Sequence, residues 1–105
     1  MDDVFKALAD PSRRLLLDNL NARNGQTLRE LCEALPIARQ SVSKHLAVLE
    51  AASLVTTQRR GREKVHFLNA EPIRAIADRW MKQYESAPAR AVIPWMTWSG
   101  EDGQP

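Results

Sequence analysis

The stretch Arg39-Gln40-Ser41-Val42-Ser43-Lys44-His45 mixes long hydrogen-bond donors with short hydroxyls. That mixture suits reading the edges of base pairs: arginine or lysine donates to guanine O6 and N7, and glutamine matches adenine. Arg39, Lys44 and Gln40 supply those donors, and Ser41 and Ser43 are short enough for close approach. A face serving solubility alone more often carries Glu–Lys pairs one helical turn apart. Further on, Arg59, Arg60, Arg62 and Lys64 surround Gly61. Guanidinium groups gathered at a turn can grip phosphates or enter a minor groove, and glycine allows the turn to be tight.

Charge is distributed accordingly. From Pro36 to His66 there are six basic residues and two acids, so this segment carries +4 in a chain whose net charge is +2. The local excess marks where phosphates are drawn. No comparable set of reactive groups exists elsewhere. Cys32 is the only cysteine, which excludes an internal disulfide or a CxxC pair. No Gly-rich phosphate loop, HExxH or Gly-x-Ser-x-Gly occurs, and the acid pairs Asp2-Asp3 and Glu101-Asp102 lie at the ends. An enzyme is not expected. His45, without a partner set, is read as a DNA-facing or helix-packing residue, and His66 as an exposed strand residue.

The 105 residues, 44% hydrophobic and 27% charged, suit one globular domain. No apolar run approaches the ~20 residues of a membrane span. The opening Met1-Asp2-Asp3-Val4 is acidic where a secretory signal is basic, so a cytoplasmic protein is expected. A chain this small buries only part of its apolar surface, and pairing with a second copy would bury more.

The elements that must position the donors follow from periodicity and punctuation. Val4, Phe5 and Leu8 make a short apolar first helix. Asp10-Pro11 is an N-cap followed by proline at the first helical position, opening a helix to about Arg23 with Leu16, Leu17 and Leu20 inward. Asn24-Gly25 ends it. Thr27-Leu28-Arg29-Glu30 is a capping box before Leu28, Leu31, Cys32 and Leu35 at helical spacing. After the turn Pro36-Ile37-Ala38, another helix runs from Arg39 to about Ala52 with Val42, Leu46 and Leu49 inward. Two short helices joined this way form a helix-turn-helix, and Ala38 stands where an N-cap serine or threonine is usual.

Leu54 to Gln58 and Glu63 to Leu68 read as two strands around the basic tip, a β-hairpin with Val65 and Phe67 on one face and Lys64 and His66 on the other. Ala70-Glu71-Pro72 opens a last helix to about Ser86, along which Ile73, Ile76, Ala77, Trp80, Met81 and Tyr84 form a broad apolar stripe. The expected architecture is mainly α with a small β-hairpin, in the order α-α-α-α-β-β-α. The domain is expected over residues 1–87, followed by a tail, 88–105, docked around Pro94 to Trp98 and loose beyond.

These residues resemble the ArsR-type winged helix-turn-helix regulators from Val4 to about Tyr84. Val4 to Arg14 is similar to that family's opening helix and turn. Ser41-Val42-Ser43-Lys44-His45-Leu46-Ala47-Val48-Leu49 resembles its S-x-S-x-H-L-x-x-L recognition signature, and Gly61 to Leu68 its wing and second strand. The resemblance implies a dimeric repressor of double-stranded DNA acting on an inverted repeat, with Arg39, Gln40, Ser41, Ser43 and Lys44 reading bases. His45, Arg59, Arg60, Arg62 and Lys64 would serve phosphates. Val4, Phe5, Leu8, Ile73, Ile76, Ala77, Trp80, Met81 and Tyr84 would form the dimer contact.

Metal-sensing members carry Cys-x-Cys where this chain has Thr27 and Arg29, or Asp and His pairs on the last helix, where this chain has Asp78 and Glu85 without histidine. No metal or other cofactor is therefore expected, and Cys32, at an apolar position, is read as a buried structural thiol. Three points stay open here: Arg13 and Arg14 either contact phosphate or pair with Asp10 or Asp18. Trp95 and Trp98 extend the dimer, cover a pocket or anchor the tail. The fold can also serve as a protein-interaction module or a ligand-responsive repressor.

Overall fold

A computed structural model describes residues 2–85 of the chain. Five helices, α1 (Asp2–Leu8), α2 (Pro11–Ala22), α3 (Leu28–Ala34), α4 (Arg39–Ala51) and α5 (Glu71–Gln83), accompany three strands, β1 (Gln26–Thr27), β2 (Val55–Arg60) and β3 (Glu63–Leu68). The helices and the hairpin match the order read from the sequence, and α5 ends three residues earlier. The expectations for Trp95, Trp98 and the remaining tail lie outside the described residues.

Local chemistry sets the helix starts. Asp10 Oδ1 accepts from the Ser12 and Arg13 N–H groups at 2.7 and 3.3 Å, and Pro11 occupies the first turn. Thr27 Oγ1 accepts from Glu30 N at 3.2 Å while Glu30 Oε1 accepts from Thr27 N at 2.9 Å, completing the capping box. Both acids are held below the ordinary carboxylate range. Partial desolvation pushes Asp10 up, but the N–H bonds from Ser12 and Arg13 and the nearby positive charge outweigh it. For Glu30 the Thr27 N–H bond dominates, opposed by desolvation and reinforced by Arg23, which pairs with it.

A lowered folded pKa means the charged form is favoured by folding. The contribution is therefore complete above the ordinary carboxylate range and is lost as pH falls through the lowered values. Melting temperature is expected to drop between about pH 5 and about pH 3, and the drop is expected to be shallower in a Glu30→Gln chain, which has no carboxylate to protonate at the capping box. Equal acid sensitivity of the two chains would refute this assignment.

Arg13 makes the expected ion pair with Asp10 only at long range, and both arginines are chiefly engaged with the end of α1. Arg13 Nε donates to Ala7 O at 2.8 Å and Nη2 to Lys6 O at 2.9 Å, and Arg14 Nη1 donates to Leu8 O at 2.6 Å. The last carbonyls of a helix have no partner within it, and these two arginines supply one for α1. Only a 3.9 Å approach of Arg13 to Asp10 matches the acid-pairing alternative.

The core joins Leu16, Leu17 and Leu20 of α2 to Leu31, to Val42, Leu46 and Leu49 of α4, and to Leu54 and Val55. Cys32 is half-buried and packs against this cluster, consistent with a structural thiol.

The sheet has the order β1-β3-β2 and is antiparallel throughout. Here the sequence reading needs correction. His66, expected to point outward, is only 4% exposed. β1 adds to the free edge of the hairpin, pairing Gln26 with His66, and His66 Nδ1 lies 3.0 Å from Gln26 O. Gln26 is itself buried, its amide donating to Asn19 Oδ1 and Arg23 O. At Gly25, φ is +80°, and a Cβ there would meet the Phe67 ring at 3.0 Å, so glycine is needed both for conformation and for space.

Candidate nucleic-acid interface

Helix α4 buries Val42, Leu46 and Leu49 and turns Arg39, Gln40, Ser43 and Lys44 fully outward. Ser41 and His45 are half-buried. His45, expected to serve a phosphate, is held from within, with Nδ1 3.3 Å from Arg13 Nη1. Ala38, at φ −60° and ψ 143°, provides no side-chain cap, as its type implies. The first N–H groups of α4 are left for another acceptor, and an uncapped helix N-terminus is itself a place for an anion.

The hairpin turns at Gly61-Arg62, with Arg60 opposite Glu63. Gly61 has φ +65° and Arg62 does not share that sign, the pattern of a II′ turn, whose twist matches the flanking strands. Arg59, Arg60 and Arg62 are exposed at this tip. Arg59 Nη1 is 3.4 Å from Arg62 O, and the Arg60 guanidinium lies 5.7 Å from the centre of the Phe67 ring. The fourth expected wing cation behaves otherwise. Lys64 Nζ is 3.2 Å from Glu50 Oε1, tying the wing to the far end of α4.

Between α3, α4 and the wing lies a groove of about 360 Å³, lined among others by Thr27, Arg29, Arg39, Ser43, Glu50 and Lys64. Sequence reasoning passed over Arg29 and Glu50. Arg29 follows the capping-box threonine, and the spacing of Glu50 from Lys64 offers no local signal. The ion pair is solvent-accessible and contributes little to stability, but it neutralises a cation beside the proposed DNA path. Glu50→Gln is therefore expected to tighten duplex binding about 2- to 5-fold at low salt, with melting temperature nearly unchanged. Weaker binding would mean that the pair sets the wing's pose.

The residues expected at a dimer contact divide. Val4 is 7% exposed and belongs to the core, so it is not available to a partner. The reason is that α1 lies over α2 and α4, turning Val4 and Ala7 inward. Leu8, Ile73 and Ile76 are partly buried against the same core. Phe5, Ala77, Trp80, Met81 and Tyr84 remain exposed, Trp80 by 50% and Met81 by 72%. The Phe5 and Trp80 rings lie 5.8 Å apart, joining α1 and α5 into one apolar face. Helix α5 has no buried residue.

Among the described residues, no three His, Cys, Asp or Glu side chains gather as a metal site, and no helix is long and apolar enough to cross a membrane.

The helix-turn-helix domain family matches residues 8–58. The uncharacterized HTH-type transcriptional regulator YuzN of Bacillus subtilis is 45% identical over 87 residues, covering 77% of this chain and 95% of that protein. Transcriptional repressor SdpR of the same organism is 36% identical over 69 residues, covering 66% of this chain and 76% of its own length. A solved ArsR-like transcriptional regulator from Rhodococcus sp. RHA1 superposes with a TM-score of 0.75 at 31% identity, over 80% of this chain and 76% of that one. All three are named as regulators of transcription, in keeping with a sequence that offers no catalytic set. Exposed donors on the second helix of the helix-turn-helix, a basic hairpin beside them and these likenesses together place the chain in the ArsR-type family of winged helix-turn-helix transcriptional regulators.

Proposed function

We propose that this chain is a cytoplasmic repressor that binds an inverted-repeat DNA operator as a homodimer and does so without a metal signal. The observation that carries the reading is the coexistence, in one subunit, of two exposed surfaces of opposite character. One is the donor face of α4 with the cationic wing tip, and the other is the apolar face of Phe5, Ala77, Trp80, Met81 and Tyr84. An apolar face of this kind on a small domain is suited to an isologous contact with a second copy. Two α4 helices held ~34–36 Å apart would enter successive major grooves of a near-palindrome. A dimer so placed over a promoter excludes polymerase sterically.

The metal-free part of the reading rests on ligand chemistry. Thr27 and Arg29 occupy the places where metal-sensing relatives carry cysteines, and neither is a zinc ligand. Asp78 on α5 lies 3.4 Å from Lys82, and α5 has no histidine to accompany it.

The test is fluorescence anisotropy with the DNA upstream of the chain's own coding sequence, at two salt concentrations, against scrambled competitor and with zinc titrated in. Tight, salt-sensitive binding that survives competitor and ignores zinc is expected. Weak binding indifferent to sequence would favour a protein-interaction module, and release by zinc would overturn the metal-free reading.

A further inference from the structure

Arg13 is the most heavily engaged side chain around the recognition helix, and its partners come from two helices and the turn between α1 and α2. Its Nε and Nη2 donate to Ala7 O and Lys6 O at the end of α1, and Nη1 lies 3.9 Å from Asp10 and 3.3 Å from Nδ1 of His45 on α4. A guanidinium has donors only and stays charged. The imidazole nitrogen facing it must therefore be the acceptor, which places the proton of the neutral ring on Nε2. Nε2, on the far edge of the ring, has no hydrogen-bond partner among the described residues.

We propose that Arg13 is a positioning residue for DNA binding: it orients His45 and sets its tautomer so that the neutral ring offers Nε2–H to the DNA backbone. The proposal rests on the DNA-binding reading above and adds a residue from α2 that does not itself face the duplex. The anchoring of Arg13 on the α1 carbonyls explains why the ring is held and not merely touched. With two of its three nitrogens fixed to backbone, the guanidinium has a defined plane in which the third can address His45. A lysine, with one compact ammonium, cannot satisfy both carbonyls and the ring together.

Because a backbone contact is independent of sequence, the test uses a mixed-sequence, fluorescein-labelled duplex of about 30 base pairs, roughly three helical turns, titrated at several salt concentrations. Two isosteres separate the edges of the ring: an asparagine amide reaches the place of Nδ1 but not of Nε2, and a glutamine amide reaches the place of Nε2. His45→Asn is expected to melt like the wild type and to bind about tenfold more weakly, as for the loss of a hydrogen bond to a charged group. Its log K against log salt slope should be unchanged, since a neutral donor releases no counterion. His45→Gln should recover part of that loss.

Arg13→Lys is expected to weaken binding about fivefold in the wild-type background and by less than about twofold in the H45N background, a coupling that a merely structural role would not produce. Equal losses in both backgrounds would make Arg13 a brace of the fold and overturn the proposal, as would wild-type affinity in His45→Asn. Should Arg13→Lys melt below the assay temperature, the order of the two His45 variants decides: His45→Gln binding no better than His45→Asn overturns the proposal. Failure of the wild-type chain to bind duplex at low salt would refute the DNA-binding reading itself, whereas binding without coupling refutes this inference alone.

Discussion

A Trp80→Glu chain is expected to sediment as a monomer and to lose at least about 100-fold in affinity for operator DNA, while its circular dichroism stays that of the folded domain. The size of the effect follows from position. Trp80 is half-exposed in the single subunit, so the domain does not depend on it for its own core, yet it packs on Phe5 and shares an exposed apolar character with Met81 and Tyr84. Fully burying a large apolar side chain is worth about 1.5–3 kcal/mol, and a two-fold interface presents each residue twice. In the proposed homodimer one substitution would thus remove two anchors and strand two carboxylates in an apolar contact. Separating the subunits leaves each recognition helix to bind alone, and the gain from linking two half-sites, on the order of 10²–10⁴, disappears. Sedimentation velocity and anisotropy on the same preparation check both statements. A persistent dimer would move the interface away from α1 and α5.

The second large effect separates reading from gripping. Removal of Arg60 and Arg62 together by alanine is expected to weaken binding to every duplex alike, and to lower the steepness of log K against log salt by about 1 for each phosphate no longer neutralised. Arg39→Ala or Gln40→Ala should instead reorder preferences among operator variants, with a change of about 1–3 kcal/mol at the base pair concerned. The geometry supports this division. Arg39 and Gln40 open α4, the end of the helix directed at base edges in this motif. Arg60 and Arg62 stand at the hairpin tip, Arg60 held over Phe67 and so partly ordered before DNA arrives. Competition across a panel of single base-pair variants distinguishes the two patterns, and a uniform loss from Arg39→Ala would reassign it to the backbone.

What could be read from sequence had its cause within one or two turns. Asp10 with Ser12 and Arg13, and Thr27 with Glu30, have near neighbours as partners, and the inward residues of α2 and α4 declare themselves by helical spacing alone. The features that escaped depend on contacts across the chain. His66 meets Gln26 40 residues away, and a two-residue strand has no alternation to betray it. Arg13 meets His45 at a separation of 32, so a residue weighed only against phosphates and nearby acids is in fact part of a helix end and of the recognition helix. Lys64 was legible as a cation at a turn, but Glu50, which neutralises it, is on another element. Val4 shared its apolar character with Phe5, and only the docking of α1 separates the inward residue from the outward one.

The wing is anchored at one end and open at the other. It is stitched to the body by the β1 pairing at Val65 and His66 and, nearer the turn, by Lys64–Glu50, whereas nothing lies within 4 Å of where a Cβ on Gly61 would stand. The tip is thus an exchangeable cassette. Gly61 and Arg62 are expected to accept the corresponding turn of another regulator with little change in melting temperature, provided a residue tolerant of positive φ is kept at the first position. Grip on DNA and choice of bases then become separately adjustable, in the laboratory by grafting and in descent by drift at the tip while α4 is held constant.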